Sequence, residues 1–499
     1  MTGHNNGPEG ADLDSTAGHL ILATVVMGSA VAALTATVVN VALPTLATSL
    51  GAGSSGQKWI VNGYTLTLAA LILVGGSLGD RFGRVRIYRL GVVWFAIASL
   101  LCALAWDVES LIAFRLLQGI GGALLTPGSL AIIESSLRKA DRGRGVGLWS
   151  GISGVASAIG PLIGGLLVEI SWRWVFVVNV PVGVAVLILS RWVPETKDPD
   201  ARNSPLDIGG AALTALALGS ATFALIEGPE GGVSLVEKMA IVAAIASLIG
   251  VFVWERGRDH AILPTDLFAD RTFAVANFLT FAIYGGMSVL FFLLSIQLQV
   301  TAGWSALAAG SALLPVTGIL LVLSSRMGDL AQHIGPRLPL TFGPLVVAAG
   351  MLMMSRIGPD ASFIRDVLPA VTVFGLGLSG IVAPVTSTAL GSVPDTRAGA
   401  ASGVNNAVAR TGGLLAIAAI PSLAGLTGDA LSNPVALDAG FDRSMWIAAA
   451  ILASSGIAAL ILLKPQSQPA GAADTPTHRH RCPIDGQLTT TSTDGCTHQ

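Results

Sequence analysis

Fourteen apolar stretches, each about twenty residues long, follow one another along this chain. An α-helix rises about 1.5 Å per residue and the hydrocarbon core of a bilayer is about 30 Å thick, so each stretch has the length of one crossing. Only 12% of the 499 residues are Asp, Glu, Lys or Arg, too few to clothe the surface of soluble domains. Apolar residues reach 52% and the mean hydropathy is +0.71. The 60 glycines suit helices that pack closely in lipid. The expected fold class is an all-α polytopic membrane protein. Three cysteines, with Cys102 inside an apolar stretch, supply no disulfide framework.

Orientation follows from where Lys and Arg fall, because short loops rich in them stay in the cytoplasm. With both termini on one side, the connections on that side hold 20 Lys and Arg. Those on the other side hold 6: Lys58, Arg173, Lys238, Arg356, Arg365 and Arg443. This asymmetry places both termini, and segments 80–89 and 138–144, in the cytoplasm of a multi-pass cell-membrane protein. The first seventeen residues contain no Lys or Arg, and no small-residue cleavage pattern follows, so the first span is expected to stay.

Glycines also repeat. Gly83 and Gly335, Gly147 and Gly399, Gly151 and Gly403, and Gly160 and Gly412 each lie 252 residues apart. Four pairs at one offset point to duplication of a six-span block. The expected organisation is a cytoplasmic segment (1–17), a six-helix bundle (18–192), a linker with two additional spans (193–271), a second six-helix bundle (272–463) and a disordered cytoplasmic tail (464–499). Repeated halves around a shared interior are a transporter's architecture, with the site near the bilayer midplane.

Three clusters carry more than topology. Between spans two and three, Gly76, Gly79, Asp80, Arg81, Gly83 and Arg84 make a turn. Its glycines allow close approach, and Asp80 can pair with Arg81 or Arg84. Topology signalling alone would explain the arginines but not the glycine spacing. In span four, Arg115 shares a helix face with Gln118 and Gly122. Such an arginine is expected to face protein or water, with snorkelling to the interface as the alternative. In span five, after Gly147, Gly151 and Gly154, Gly160 and Gly164 stack one turn apart beside Gly165, and Pro161 withdraws a backbone donor. These are features of a helix that packs tightly and pivots; taken alone they would mean packing only.

Together with the segments VVNVALP (38–44), WIVNGYTL (59–66) and WRWVFVVNVP (172–181), these clusters resemble the major facilitator superfamily. Within it the likeness is to the fourteen-span drug:proton antiporters of the EmrB/QacA type, over about residues 20–463. The resemblance implies a major facilitator fold, two six-helix bundles plus two inserted helices. It implies export of small lipophilic compounds, drugs or antibiotics, by proton antiport and alternating access. The gate would be Gly76, Gly79, Asp80, Arg81, Gly83 and Arg84, and the antiporter motif Gly160, Pro161, Gly164 and Gly165. The proton or substrate path would draw on Arg115, Gln118, Asn40, Asn62, Tyr64, Arg410 and Glu134. The implied partners are small lipophilic substrates, protons and the bilayer, not nucleic acid. No cofactor or metal is expected, the proton gradient being the energy source, and a monomer is the working expectation.

One departure matters. The family usually carries an aspartate shortly before the Asn-Val-Ala-Leu-Pro segment of span one, where this chain reads Leu34-Thr35-Ala36-Thr37. Asp80, Glu134, Glu169 and Glu227 fall near span ends and no carboxylate falls mid-span, whereas Arg115 and Arg410 lie well inside. Fixed positive charge without a deep acid suits a lipophilic dication poorly. A neutral or weakly acidic substrate is therefore expected, with proton coupling through Asp80 or Glu134.

Trp59, Tyr64, Phe281, Tyr284, Phe291 and Phe292 lie on spans expected to border the cavity, and Trp172 and Trp174 are expected in the interfacial belt. The tail's His478, His480, Cys482, Cys496 and His498 have no compact metal-site spacing. A membrane enzyme would need clustered catalytic carboxylates, histidines or a Gly-rich phosphate loop, and the sequence contains none. The alternatives are a dedicated exporter of one endogenous neutral or anionic metabolite and a non-transporting membrane sensor.

Overall fold

The computed structural model describes residues 10–197, 207–231, 234–256, 258, 264–394 and 397–463. The expectations for residues 1–9 and for the tail with its His and Cys residues lie outside the described residues.

Among the described residues, thirteen helices are long and apolar enough to cross a membrane. Six positions form the first half: span 1 (Thr16–Leu50), span 2 (Ser54–Phe82), span 3 (Arg84–Ala103), span 4 (Val108–Ser136), span 5 (Arg142–Ile170) and the shorter span 6 (Trp174–Ser190). Spans 7 (Ile208–Gly231) and 8 (Leu235–Glu255) form the inserted hairpin. The second half holds span 9 (Arg271–Thr301), span 10 (Ala306–Ala331), span 11 (Arg337–Met354), span 12 (Phe363–Gly391), span 13 (Ala398–Leu423) and span 14 (Pro434–Leu462). Span 6 accounts for the difference between thirteen and fourteen. It is interrupted at Val178, where Pro181 has no N–H to give the carbonyl of Val177. Span 14 begins at Pro434, ten residues ahead of its continuous apolar run. Asn433 caps it by accepting from the amides of Val435 and Ala436, so Asp438 and Asp442 sit on the helix and not in a loop.

The duplication is visible in backbone detail. Gly83 and Gly335 each precede a span with positive φ, +115° and +79°, a conformation that excludes most side chains. Gly160 and Gly412 each sit where a helix crosses its partner: a Cβ on Gly160 would overlap the Thr37 hydroxyl of span 1, and one on Gly412 the Phe281 carbonyl of span 9. Span 5 on span 1 and span 13 on span 9 are thus the same crossing made twice. The hairpin packs on itself and on spans 2 and 13, leaving Leu235, Val242 and Val253 exposed as a lipid-facing surface.

Residues 10–15 fold onto the segment after span 4. Asp12 pairs with Arg138 and Asp14 with Arg144, both at 2.9 Å, and Leu13 is buried between them. The N-terminal segment therefore shares one end of the molecule with the Arg-rich segment 138–144. This end, assigned to the cytoplasm by the charge count, is called the basic end below.

Candidate functional site

A cavity of about 580 Å³ lies at the basic end between the halves. Gly76, Asp80 and Glu134 line it from the first half and Gly399, Gly403 and Asn406 from the second. Within the gate motif, Asp80 pairs with Arg84, 2.8 Å from Oδ1 to Nη2, one helical turn away, while the Arg81 guanidinium stacks on Phe82. Gly83 ends span 2, and the next turn is held by Glu195, whose Oε1 accepts from the Val85 amide at 3.0 Å. Asp207, which begins the hairpin, also reaches this cavity. Burial pushes its carboxyl up, but the Gly210 amide, the Trp254 indole N–H and Arg258 together hold it below its ordinary value.

A second cavity, about 270 Å³, lies at the middle of the helices and is walled by both halves. No Asp, Glu, Lys, Arg or His lines it among the described residues. Its polar groups are Thr37, Asn40 and Ser157 of the first half and Tyr284, Ser295 and Thr317 of the second. Asn40 is buried, and its Oδ1 has no hydrogen-bond partner among the described residues. An acceptor so placed is costly unless something donates to it.

Of the antiporter motif, Pro161 lines this cavity. Pro161 leaves the Ser157 carbonyl without its helical donor, and the Thr37 hydroxyl of span 1 lies 3.2 Å from that oxygen. Gly164 packs on Val38, and Gly165 meets the backbone of Ala306 and Leu307 in the other half. A Cβ on Gly310 of span 10 would in turn overlap the Pro161 carbonyl. The motif is therefore a crossing between halves as well as within one. Gly147 and Gly151, by contrast, have open space where a side chain would stand.

The other path residues are placed differently. Arg115 is 1% exposed, which excludes snorkelling. Its Nε donates to the Ile60 carbonyl at 2.9 Å and its Nη1 to Gln118 Oε1 at 2.5 Å, and its guanidinium lies 4.7 Å from the centre of the Tyr64 ring. Gln118 passes the chain on to Ser99, which also accepts from Asn179, itself paired with Thr35. This network ties spans 1, 2, 3, 4 and 6 together and lines neither cavity. Asn62 is fully buried with neither amide atom partnered. Arg410 makes no hydrogen bond or ion pair among the described residues and acts electrostatically on Tyr64 and Tyr284.

Of the six aromatics expected at the cavity, Tyr284 and Phe291 line it. Tyr64 lies against Arg115, Phe292 is fully buried in the core, Phe281 is half-exposed, and Trp59 donates to Glu227 at 2.7 Å. Helix periodicity alone could not decide among faces of such uniformly apolar helices. Trp174 is 47% exposed, as an interfacial residue would be, but Trp172 is 4% exposed and packs edge-on against Phe176. Sequence reading missed Thr37 and Ser157, although Ser157 stands four residues before Pro161 and so is the carbonyl that the proline must orphan. It also read Lys58 as a loop charge only, with no signal for its partners.

Away from the basic end the halves are joined. Ser54 gives its amide to Gly428 at 2.8 Å and accepts from Leu431 through its hydroxyl, and Gln299 donates to the Val41 carbonyl at 3.0 Å. Lys58 donates to Ser422 at 2.8 Å. The halves are thus tied at the end away from the gate motif and enclose a cavity at the basic end.

Comparison with known proteins agrees with this geometry. The profile of the Major Facilitator Superfamily matches residues 25–417. The methylenomycin A resistance protein of Bacillus subtilis is 37% identical, over 75% of this chain and 81% of its own. The multidrug resistance protein Stp of Mycobacterium tuberculosis is 33% identical, over 78% and 73%. The tetracenomycin C resistance and export protein of Streptomyces glaucescens is 31% identical, over 80% and 74%. Among solved structures, a D-xylose–proton symporter superposes with a TM-score of 0.63 at 15% identity, covering 90% of this chain and 98% of its own, a likeness of fold. The chain belongs to the Major Facilitator Superfamily, and so to the membrane transporters rather than the enzymes.

Proposed function

We propose that this chain is a secondary active exporter of small lipophilic compounds, antibiotics among them, working by proton antiport and alternating access in the cell membrane with both termini in the cytoplasm. The observation that carries the reading is the central cavity: apolar, shared by both halves, without a charged wall, and holding one buried acceptor, Asn40 Oδ1, with no partner of its own. Such a site favours a neutral or weakly acidic molecule with a hydrogen-bond donor, since a dication would lose its hydration without gaining a counter-charge. Arg410, which has no ion pair among the described residues, adds a field of the sign that suits a weak acid. The names of the relatives, each a resistance or export protein, support export over uptake.

Asp80 and Glu134 carry the proton in this reading, because both face the basic-end cavity. The proton gradient supplies the energy without a cofactor, and one chain provides both halves and the site, so a monomer suffices. The test is transport into everted vesicles. Neutral and weakly acidic compounds should accumulate with a proton gradient, and Asp80→Asn or Glu134→Gln should uncouple the two. Proton-driven uptake of quaternary ammonium dyes, with none of neutral or anionic compounds, would overturn the substrate assignment. A panel in which a single compound moves would make this a dedicated exporter.

A further inference from the structure

The end away from the gate motif holds a buried cation that the transport reading does not use. Lys58, near the start of span 2, has a side chain with 0% exposure. Its Nζ lies 3.4 Å from Glu230 Oε1 and 2.8 Å from Ser422 Oγ. Glu230 ends span 7 of the inserted hairpin, and Ser422 ends span 13 of the second half. The other oxygen of Glu230 accepts from the Gly428 amide at 2.6 Å. Glu227, nearly one turn earlier on span 7, accepts from Ser55 at 2.6 Å and from the Trp59 indole at 2.7 Å. Two carboxylates of the hairpin thus hold the first half by Ser55, Lys58 and Trp59, and Glu230 also holds the second half by Gly428.

A buried ammonium is tolerable only while a negative charge compensates it. Glu230 is the group in ion-pair contact with Lys58, and its own side chain is 18% exposed, so solution protons reach it. Protonation of Glu230 would leave the ammonium buried beside a neutral acid. The relief is to part the mouth and hydrate Lys58. The other charged groups around the cluster are Glu227 on span 7, Glu237 on span 8 against Gly228, Asp429 in the loop after span 13, and Arg443 on span 14, which donates to the Ala424 carbonyl.

We propose that Glu230, paired with Lys58 and seconded by Glu227, is a proton-binding site that latches the mouth opposite the gate motif, and that proton uptake there from the outer solution opens the molecule to that side. This assigns the inserted hairpin the role of a third gate element between the halves. The direction of proton entry rests on the exporter reading above; the latch itself does not.

The test measures the mouth directly. Nitroxides on Ser49→Cys and Val435→Cys, exposed positions at the latched end of the two halves, are placed in the full chain with its three native cysteines replaced, in lipid nanodiscs. Pulsed electron paramagnetic resonance then follows their separation from about pH 7.5 to about pH 4.5. The longer-distance population should rise about tenfold across that range. Glu230→Gln should show the long distances already at the higher pH and lose the response. Lys58→Met, which removes the buried charge, should stay closed at both pH values, and Glu230→Asp should respond like the parent. Distances blind to pH, or a Glu230→Gln chain indistinguishable from the parent, would overturn the latch. If the mouth responds while the same chain exports nothing in vesicles, the latch stands and the exporter reading falls; export by a chain whose mouth ignores pH overturns the latch alone.

Discussion

Thr37 and Pro161 show how a motif on one helix depends on a side chain of another. Pro161 withholds an N–H from the Ser157 carbonyl, and the Thr37 hydroxyl, shared with the Leu34 carbonyl at 3.1 Å, reaches it at 3.2 Å. Thr37→Val should therefore cost about 0.5–1 kcal/mol, the value of one partly buried, shared hydrogen bond. In a Pro161→Ala background, where the helical N–H is restored, the same change should cost much less; thermal unfolding of the four detergent-purified chains measures the coupling. Arg115 offers a sharper residue-level test. Its fork serves two acceptors at once, the Ile60 carbonyl and Gln118, which a lysine cannot span. Arg115→Lys should keep the charge yet lower stability by about 1.5–3 kcal/mol, the value of one charge-assisted bond, and a melting temperature equal to the parent's would refute that account.

At the scale of elements, span 5 divides into two parts. Its outer part, with Gly160, Gly164 and Gly165, is packed on spans 1 and 10 with no room for a side chain, while Gly147 and Gly151 nearer the basic end face open space. Adding a methyl should then separate the two. Gly160→Ala should destabilise by about 1–3 kcal/mol through overpacking, and Gly151→Ala should not. Gly151→Trp should likewise leave the melting temperature unchanged, since nothing lies within 4 Å of where its Cβ would stand. The glycine pairs 252 residues apart could be read from sequence because each meets a need no other residue satisfies: positive φ at Gly83 and Gly335, helix contact at Gly160 and Gly412. The split between packed and open glycines could not be read, since it depends on which conformation the halves adopt.

For the molecule as a whole, the strongest commitment is orientation. Lys139→Cys and Ser49→Cys should react with a membrane-impermeant thiol reagent from opposite faces of intact cells and everted vesicles; labelling from one face would remove both the span count and the charge-based topology. The cavity at the basic end and the ties at the opposite end would, under the proposed alternating access, be one of two arrangements of the halves. The gate motif is paired within itself here, Asp80 with Arg84, and lies on the cavity wall.

The apolar spans and the glycine repeat were legible in the sequence alone, as was the expected direction of the spans, because each reading rests on a local quantity: length of apolar run, spacing of glycine, placement of Lys and Arg. Contacts between segments far apart in the chain needed the tertiary structure. Nothing near Lys58 in the sequence announces Glu230, 172 residues away, or Ser422, 364 residues away. Only the fold placed Arg115 inside a bundle rather than on a cavity wall, sorted Tyr284 and Phe291 from Phe292 and Trp59, and left Asn40 with an acceptor and nothing to bond. Helices that are apolar on every side carry no periodic mark of which face meets lipid, which meets protein and which meets the cavity, and that choice is made by packing.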